Sequence, residues 1–472
     1  MLKRNLFPYL LFSTIIIATL SCAYIDVNNP LVVADAAANY KQYCAGCHGE
    51  KLESFVDRDW VYGNSWNEVY RAIEKGYPDD GMSAYDTTFT EKELSALTDY
   101  IMIALERTVS DKLDEKEDFS GVISSEALNF RVEKVQEGLS VPWGIDFLPS
   151  GEMLITERGG AFFVRKKNGS LEEISGVPVV KSRGQGGLLD VTVHPAFAEN
   201  RWVYLTFSKP NPDGGNTGTT AVVRGQLRGT RLTNVEEIFE AQPYLPTNHH
   251  YGSRLVFDQE GFIYISVGDR GRRDQNPQSL SNHCGKIHRL HDDGRIPEDN
   301  PFVDENGAVA SIYTYGHRNP QGLAVHPVTG EVWEHEHGPR GGDEVNRLQA
   351  GNNYGWPEVS FGINYDGTEF TDDTAKAGME QPEWYWDPSI APSGMTFVTS
   401  DKYPGWQGDI LVGSLKFGYI VRANVENNTV TGDEILFKDI GRVRNIKQGP
   451  DGYIYVATET DNGIVRIVPS NN

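Results

Sequence analysis

The apolar residues of this chain change period once. From about Ala34 to Arg107 they fall at helical spacing, as at Leu94, Leu97, Ile101 and Leu105, and Thr90-Glu-Lys-Glu93 is a capping box at the head of that run. A small all-α domain is predicted over residues 31–108. Ser110 to Asp118 is charged and has no apolar period, which predicts a linker across 109–124. Over 125–470 the pattern becomes short alternating or apolar runs punctuated by Gly, Pro, Asn and Asp, the chemistry of strands and turns.

One phrase recurs in this second part: a turn residue, Gly or a polar equivalent, then an apolar strand. It stands at Pro149–Thr156, Asn200–Thr206, Glu260–Ser266, Thr329–Trp333, Gln407–Val412 and Asp451–Val456, six copies in all. Imperfect repeats at intervals of about 45–80 residues fit propeller blades with loop insertions, because a lone four-stranded sheet cannot bury both faces. The expected fold is therefore multidomain, a small all-α domain followed by an all-β six-bladed β-propeller. A β-sandwich is the competing architecture, since hairpin turns also place Asp-Gly before a strand.

Composition agrees with a globular, turn-rich chain: 39% hydrophobic and 23% charged residues, with 49 Gly and 22 Tyr. The formal charge of −23 argues against a nucleic-acid partner, which needs clustered Lys and Arg, and against an anionic membrane surface. Neutral sugars and cationic redox partners are not opposed by it.

Met1-Leu-Lys3-Arg4, an apolar run from Leu6 to Leu20 and then Ser21-Cys22-Ala23 have the layout of a secretory signal over residues 1–23, which predicts a periplasmic protein. A cut after Ala23 removes Cys22. A lipoprotein reading keeps Cys22 as an acylated first residue, and only then is a membrane a partner. Of the three cysteines left after cleavage, two share one pentapeptide, so a disulfide framework is not expected, and Cys284 reads as a small buried residue.

That pentapeptide is Cys44-Ala-Gly-Cys47-His48. Two thiols about one helical turn apart reach the two vinyl groups of a haem, and the adjacent His supplies an axial nitrogen. The rival, a thioredoxin-like pair, does not use the His and expects a βαβ context. Met82, in Gly81-Met82-Ser83, offers the soft sixth ligand. Met102, inside the last helix, is better explained by packing. The N-terminal domain resembles class I c-type cytochromes over its whole length, with Ser83 where that family often has Pro.

The second part also carries polar, Gly-rich clusters of little use to a core: Gly184-Gln185, Asn248-His249-His250-Tyr-Gly-Ser-Arg254, Gly268-Asp269, Gly316-His-Arg318-Asn319-Pro-Gln321-Gly322, Glu336-His337-Gly338-Pro339-Arg-Gly-Gly-Asp343-Glu344, Ser414-Leu-Lys416 and Arg442-Val-Arg444. Such loops belong at one mouth of a propeller. Arg318, Lys416, Arg442 and Arg444, converging from separate segments, would bind a planar polyanion. A His beside them titrates near neutrality and can take a hydroxyl proton. His335-Glu-His337 also permits a zinc reading, although strand alternation gives the same pattern.

Gly-His-Arg-Asn-Pro-Gln-Gly, His-Gly-Pro-Arg-Gly-Gly-Asp-Glu and Asn-Tyr-Gly-Trp-Pro give this part, over roughly residues 125 to 470, a resemblance to the calcium- and PQQ-dependent soluble glucose and aldose sugar dehydrogenases. The resemblance implies His250 as the base that takes the proton of the anomeric hydroxyl, Asp269 as the residue orienting it, and Arg318 as the group polarising the quinone carbonyl. It implies Asn319, Gln321, Gln185, Tyr365, Lys416, Arg442 and Arg444 as further cofactor contacts. Calcium is implied at the carbonyls of Gly338 and Pro339, and a second, structural calcium at Glu344 and the carbonyl of Tyr354. His249 and His337 stand where the glucose-specialised branch has an acid and an amide, which resembles the broader aldose branch. With haem c ahead of the propeller, electrons are expected to run from an aldose to PQQ, to haem, and on to an external acceptor such as a soluble cytochrome or a respiratory-chain component. A cofactor-free binding propeller and a lyase-type propeller are the alternatives, and the set of cations argues against both.

Overall fold

The computed structural model describes residues 30–44, 48, 60, 62–77, 82–109, 121–365, 368–438, 440–459 and 463–470. The signal segment with Cys22, Cys47 and the charged stretch 110–120 lie outside the described residues. No helix among those described is long and apolar enough to cross a membrane.

Three helices form the N-terminal part: α1 Pro30–Tyr43, α2 Trp66–Lys75 and α3 Glu91–Val109. The capping box heads α3, where the backbone N–H and hydroxyl of Thr90 both donate to Glu93 Oε2 at 2.7 Å, satisfying donors a helix start leaves open. Ser65 uses Glu68 in the same way at the head of α2. The apolar stripe of α3, Leu94, Leu97 and Ile101, buries against Tyr40 of α1 and Val69 and Ile73 of α2. Gly76 ends α2 at φ 66, and a Cβ there would lie 2.5 Å from the backbone of Ser83, so this glycine lets the Met82–Ala84 segment lie against the helix end. A two-way backbone bridge between Tyr77 and Met82 fixes it.

The rest is six antiparallel sheets. Five are simple four-stranded meanders, over Pro142–Glu173 (β3–β6), Leu188–Glu240 (β7–β10), Leu255–Tyr315 (β11–β14), Pro320–Trp386 (β15–β18) and Pro392–Leu436 (β19–β22). The sixth combines β23 Val443–Gln448, β24 Ile454–Thr458 and β25 Gly463–Pro469 with β2 Asn129–Gln136, which arrives from the N-terminal side. Pairing β2 to β25 closes the ring and seats Phe130 between Trp406 and Phe437. The two-residue β1, Ile123–Ser124, adds an edge to that sheet.

Each junction between neighbouring sheets has its own apolar cluster. Leu154 and Phe162 meet Leu188 and Leu205 at the first, and Ile145 and Ile155 meet Tyr455 and Ile464 where the ring closes. Every fully buried Leu or Ile there is worth ~1.5–3 kcal/mol over leaving it exposed, so the ring is held by flat interfaces rather than one central core. The six turn phrases lead into the second strand of every sheet, β4 Met153–Glu157, β8 Trp202–Pro210, β12 Ile263–Val267, β16 Val332–Glu336, β20 Ile410–Ser414 and β24. On the axis Arg254 pairs with Asp190 at 3.2 Å, donates to the carbonyls of Gln321 and Arg444, and lies 4.1 Å over the Trp143 ring.

Candidate active site

Strand direction decides where the polar loops go. The first strands of the sheets line the axis side by side, so their starts share one end of the ring, and each second strand runs antiparallel and finishes at that same end. Gln185, His250, Arg318 and Arg442 stand at or just before the starts of β7, β11, β15 and β23. Asp269, His337–Pro339, Lys416 and Glu459 follow the ends of β12, β16, β20 and β24. One mouth therefore collects the candidate residues of several blades, and the glycine turns lie at the other end.

At the centre His250 is buried, with a left-handed backbone (φ 54) that its own N–H secures by donating to Gln185 Oε1 at 2.7 Å. Its Nδ1 lies 2.7 Å from Asp269 Oδ1. The same oxygen accepts the Gly271 N–H at 2.7 Å, and Oδ2 accepts the indole N–H of Trp356 at 2.9 Å. Burial pushes the Asp269 carboxyl up, but the His250 ring beside it, the hydrogen bond between them, Arg318 and the Gly271 N–H outweigh that and hold it below the usual carboxylate range. An ionised Asp269 fixes the proton on Nδ1 and leaves Nε2 as the basic nitrogen. Gly268 makes the packing possible: a Cβ there would sit 2.3 Å from the His250 carbonyl and 2.8 Å from Asn319 Oδ1.

Arg318 is buried beside this pair. Its carbonyl accepts the Asp269 N–H at 2.7 Å, its Nη1 donates to the His337 carbonyl at 3.1 Å, its Nη2 stands 3.5 Å from the Tyr365 hydroxyl, and its guanidinium lies 5.5 Å from the centre of the Trp356 ring. Asn319 Oδ1 accepts the Gly252 N–H at 3.1 Å, and its Nδ2 has no hydrogen-bond partner among the described residues. Gln321 joins the mouth to Arg444, whose Nη1 donates to Gln321 Oε1 at 3.1 Å. Arg442 and Arg444 flank Glu459, at 3.1 and 2.6 Å, and Arg442 also donates to the carbonyl of Leu415, next to Lys416. Burial alone would raise the Glu459 carboxyl, but Arg444, Arg442 and Arg158 bring it down to about 2. Four cations with one interleaved carboxylate, and an open amide donor among them, fit a planar polyanion.

Gly338 and Pro339 line the same mouth. The Gly338 N–H donates to Asp343 Oδ1 at 2.8 Å, and the Pro339 carbonyl accepts the Ser389 hydroxyl at 3.0 Å, which leaves it a second lone pair. A Cβ on Gly338 would meet the Gly342 carbonyl at 2.2 Å. Beneath the Arg318 loop lies an acidic pocket. Glu336 accepts the N–H groups of Arg318 and Asn319 and faces His317 Nδ1 at 3.0 Å, while Glu334 and Glu344 share Asn346. Ligating atoms of His317, Glu334 and Glu336 fall within 4.8 Å of one another. Glu334 Oε2 and Asn346 Oδ1 are buried with no hydrogen-bond partner among the described residues. Burial and the charge of Glu336 push the Glu334 carboxyl well up. The carboxylate oxygens of Glu334, Glu336 and Glu344 and the amide oxygen of Asn346, with the His317 ring set aside, are the donors a hard cation such as calcium takes. Tyr354 stacks on His317 at 4.7 Å, so its segment borders the pocket.

His335 and His337 do not form a zinc pair, since both turn to β19 carbonyls, Gly394 at 3.4 Å and Pro392 at 2.8 Å. Cys284 is fully buried and makes no disulfide, as a small core residue should. In the helical domain Cys44 and Met102 pack on the apolar cluster, His48 follows Cys44 with its N–H on the Cys44 carbonyl at 3.0 Å, and Met82 is held by its bridge to Tyr77.

Residues 139–467 match the family model described as Glucose / Sorbosone dehydrogenase. The chain belongs to that family. Residues 32–101 match the model described as Cytochrome C oxidase, cbb3-type, subunit III, so the dehydrogenase carries a cytochrome c domain ahead of its propeller, and such a domain implies haem. Aldose sugar dehydrogenase YliI of Escherichia coli is 43% identical over 348 residues, 72% of this chain and 93% of its own. The crystal structure of the soluble aldose sugar dehydrogenase of Escherichia coli matches with a TM-score of 0.70 at 42% identity, covering 72% of this chain and 100% of that one. The structure of the PQQ-bound form of the aldose sugar dehydrogenase of Streptomyces coelicolor matches with a TM-score of 0.59 at 26% identity, covering 72% of this chain and 98% of that one.

Three residues of this dehydrogenase site carry no signal of their own in the sequence reading. Glu459 is an isolated acid whose importance lies in arginines 15 and 17 positions earlier. Glu336 was visible as the head of the Glu336–Glu344 cluster and the middle of His335-Glu-His337, with no role of its own. Trp356 sits inside Asn-Tyr-Gly-Trp-Pro, but its partner Asp269 is 87 residues away.

Proposed function

We propose that this chain is an exported quinoprotein that oxidises aldoses at the anomeric carbon to lactones and delivers the electrons through its own haem c to an external one-electron acceptor. The domain limits that go with this are a signal over 1–23, a cytochrome c domain over 31–108, a linker over 109–124 and the dehydrogenase over 125–470. The observation that carries the reading is the His250–Asp269 contact of 2.7 Å at a mouth lined by Arg318, Arg442 and Arg444.

PQQ, the cofactor of the Streptomyces coelicolor relative, supplies a two-electron acceptor for hydride when bound. Arg318, Asn319, Gln321, Gln185, Tyr365, Lys416, Arg442 and Arg444 would hold it, with calcium on the carbonyls of Gly338 and Pro339. His250 takes the anomeric hydroxyl proton on Nε2, and Asp269 stabilises the imidazolium that results. Arg318 places a fixed positive charge where negative charge develops, and its backbone is set beforehand by Glu336, so little reorganisation is needed at the moment of reaction. A structural calcium would use Glu344 and the Tyr354 carbonyl beside Glu334 and Glu336.

In the cytochrome domain Cys44 and Cys47 would carry the haem, with His48 and Met82 as axial ligands. Each aldose oxidised releases two electrons and two protons. A haem held there would supply a one-electron carrier, so the two electrons would leave in single steps, and the protons pass to solvent.

The test is dye-coupled oxidation of a panel of aldoses by protein supplied with PQQ and calcium. The expected result is lactone formation that His250→Ala abolishes while cofactor binding persists. Cofactor-loaded protein that oxidises no aldose overturns the reading.

A further inference from the structure

The chain between β17 (Asp343–Arg347) and β18 (Trp384–Trp386) carries a tyrosine that faces two ways. Its mount is rigid. Ile363 and Arg340 exchange backbone hydrogen bonds at 2.9 and 3.0 Å, one residue after Pro339, and a Cβ on Gly362 would meet the Gly341 carbonyl at 2.2 Å, so two strands of backbone lie directly against each other. Asn364 accepts Arg273 Nη1 at 3.0 Å, and its N–H and side-chain amide both bond Thr368, which anchors the residue just before Tyr365.

The Tyr365 ring is 5% exposed and belongs to the apolar cluster of the cytochrome domain, with Tyr40, Leu97 and Ile101 in the cluster and Cys44 packed on it. Its hydroxyl reaches Arg318 in the mouth of the propeller. A segment of the dehydrogenase anchored at Ile363 and Asn364 thus inserts one aromatic side chain into the core of the other domain. A long flexible tether alone would only raise the local concentration of one domain near the other, whereas a buried contact fixes their orientation and keeps water out of the gap.

We propose that Tyr365 is the seat on which the cytochrome domain docks at the mouth, and that the packed run from Arg318 through Tyr365 to the cluster around Cys44 is the contact path joining the two redox sites. The path part rests on the dehydrogenase and haem readings above; the seat part does not. Electronic coupling across van der Waals contact exceeds coupling across a water-filled gap, so losing the ring slows transfer between domains more than it slows sugar oxidation.

The experiment uses the full chain with haem and no added PQQ, by small-angle scattering and amide hydrogen exchange. The parent should give a radius of gyration close to the roughly 23 Å of a compact chain of this length. Tyr365→Ala and, as a second variant that keeps an apolar group, Tyr365→Leu should enlarge it and expose α1 and α3 to exchange. Tyr365→Phe should stay docked. With PQQ and calcium added, the ratio of sugar-driven haem reduction to dye reduction in the same preparation should fall at least about ten-fold in Tyr365→Ala and by less in Tyr365→Phe, which keeps the ring in the cluster and loses only the hydroxyl toward Arg318. An extended parent, or variants that scatter and exchange like it, overturns the seat. Undocking with an unchanged ratio overturns the path. A parent that reduces no dye overturns the dehydrogenase reading and leaves the scattering result to stand by itself.

Discussion

Replacing Asp269 by Asn tests the hydrogen-bond logic of the mouth with one atom changed. The carboxylate receives three donors, His250 Nδ1 and the Gly271 N–H on Oδ1 and the Trp356 indole N–H on Oδ2. An amide has a single acceptor atom. With its oxygen kept toward His250, its NH2 opposes the Trp356 N–H, a buried clash of donors costing about 1–3 kcal/mol. The His250 tautomer is then preserved, but the imidazolium formed in the reaction loses an anion whose bond is worth ~1.5–3 kcal/mol, a rate loss of roughly 10- to 150-fold. With the amide reversed, His250 must place its proton on Nε2 and ceases to be a base, and the loss grows to about 10⁴-fold, as in hydrolases treated in this way. Asp269→Asn is therefore expected to lower kcat between about 10- and 10⁴-fold, with KM for sugar little changed. If the first arrangement holds, the acid limb of the rate profile moves to lower pH, since a ring without a neighbouring anion gives up its proton more readily. Dye-coupled rates at saturating aldose from pH 5 to 9 measure both. A variant within about three-fold of the parent, with the same profile, would refute the assignment of His250 as base and Asp269 as its partner.

Glu459→Gln should destabilise the fold in a pH-dependent way. The carboxyl is held at about 2 against an ordinary 4.5, so its contribution, ~3 kcal/mol, is complete above pH 4.5 and lost as pH falls toward 2; the variant should lose that pH dependence in urea melts, and an unchanged slope contradicts the reading. Calcium should raise the melting temperature of the parent, by an amount equivalent to ~2.7 kcal/mol at a hundred times its Kd, and Glu344→Gln or Glu334→Gln should abolish the shift at that site. Cys44→Ala should lose covalent haem on a denaturing gel stained for haem while sugar-driven dye reduction continues; loss of both activities together would tie the propeller to its cytochrome more closely than the site geometry does.

Much of the architecture was legible because it rests on local chemistry. The Thr90–Glu93 box and the Leu94, Leu97, Ile101 stripe specify α3 from a few neighbouring residues, and the repeated turn phrase marks the second strand of every sheet. The loops carrying His250, Arg318 and Arg444 were legible as chemistry belonging to one mouth of a propeller, without the contacts among them. What brings them together is strand direction, which composition does not encode. Ring closure by β2 on β25 was not legible either, because it joins segments over 300 residues apart whose patterns are ordinary strands. Glu459, Glu336 and Trp356 act through partners set by the fold, and a single acid or aromatic in sequence carries no hint of them. Tyr365 was placed among the cofactor contacts by resemblance, and its packing into the cytochrome domain became visible only in three dimensions.

The most direct measurement is rapid mixing of an aldose with protein loaded with PQQ, calcium and haem, in the absence of dye, while the haem absorbance is followed. The ferrous haem band should grow at a rate set by sugar concentration, with lactone formed and with no growth in Asp269→Asn on the same timescale. Sugar turned into lactone while the haem stays ferric, with no acceptor added, would contradict it.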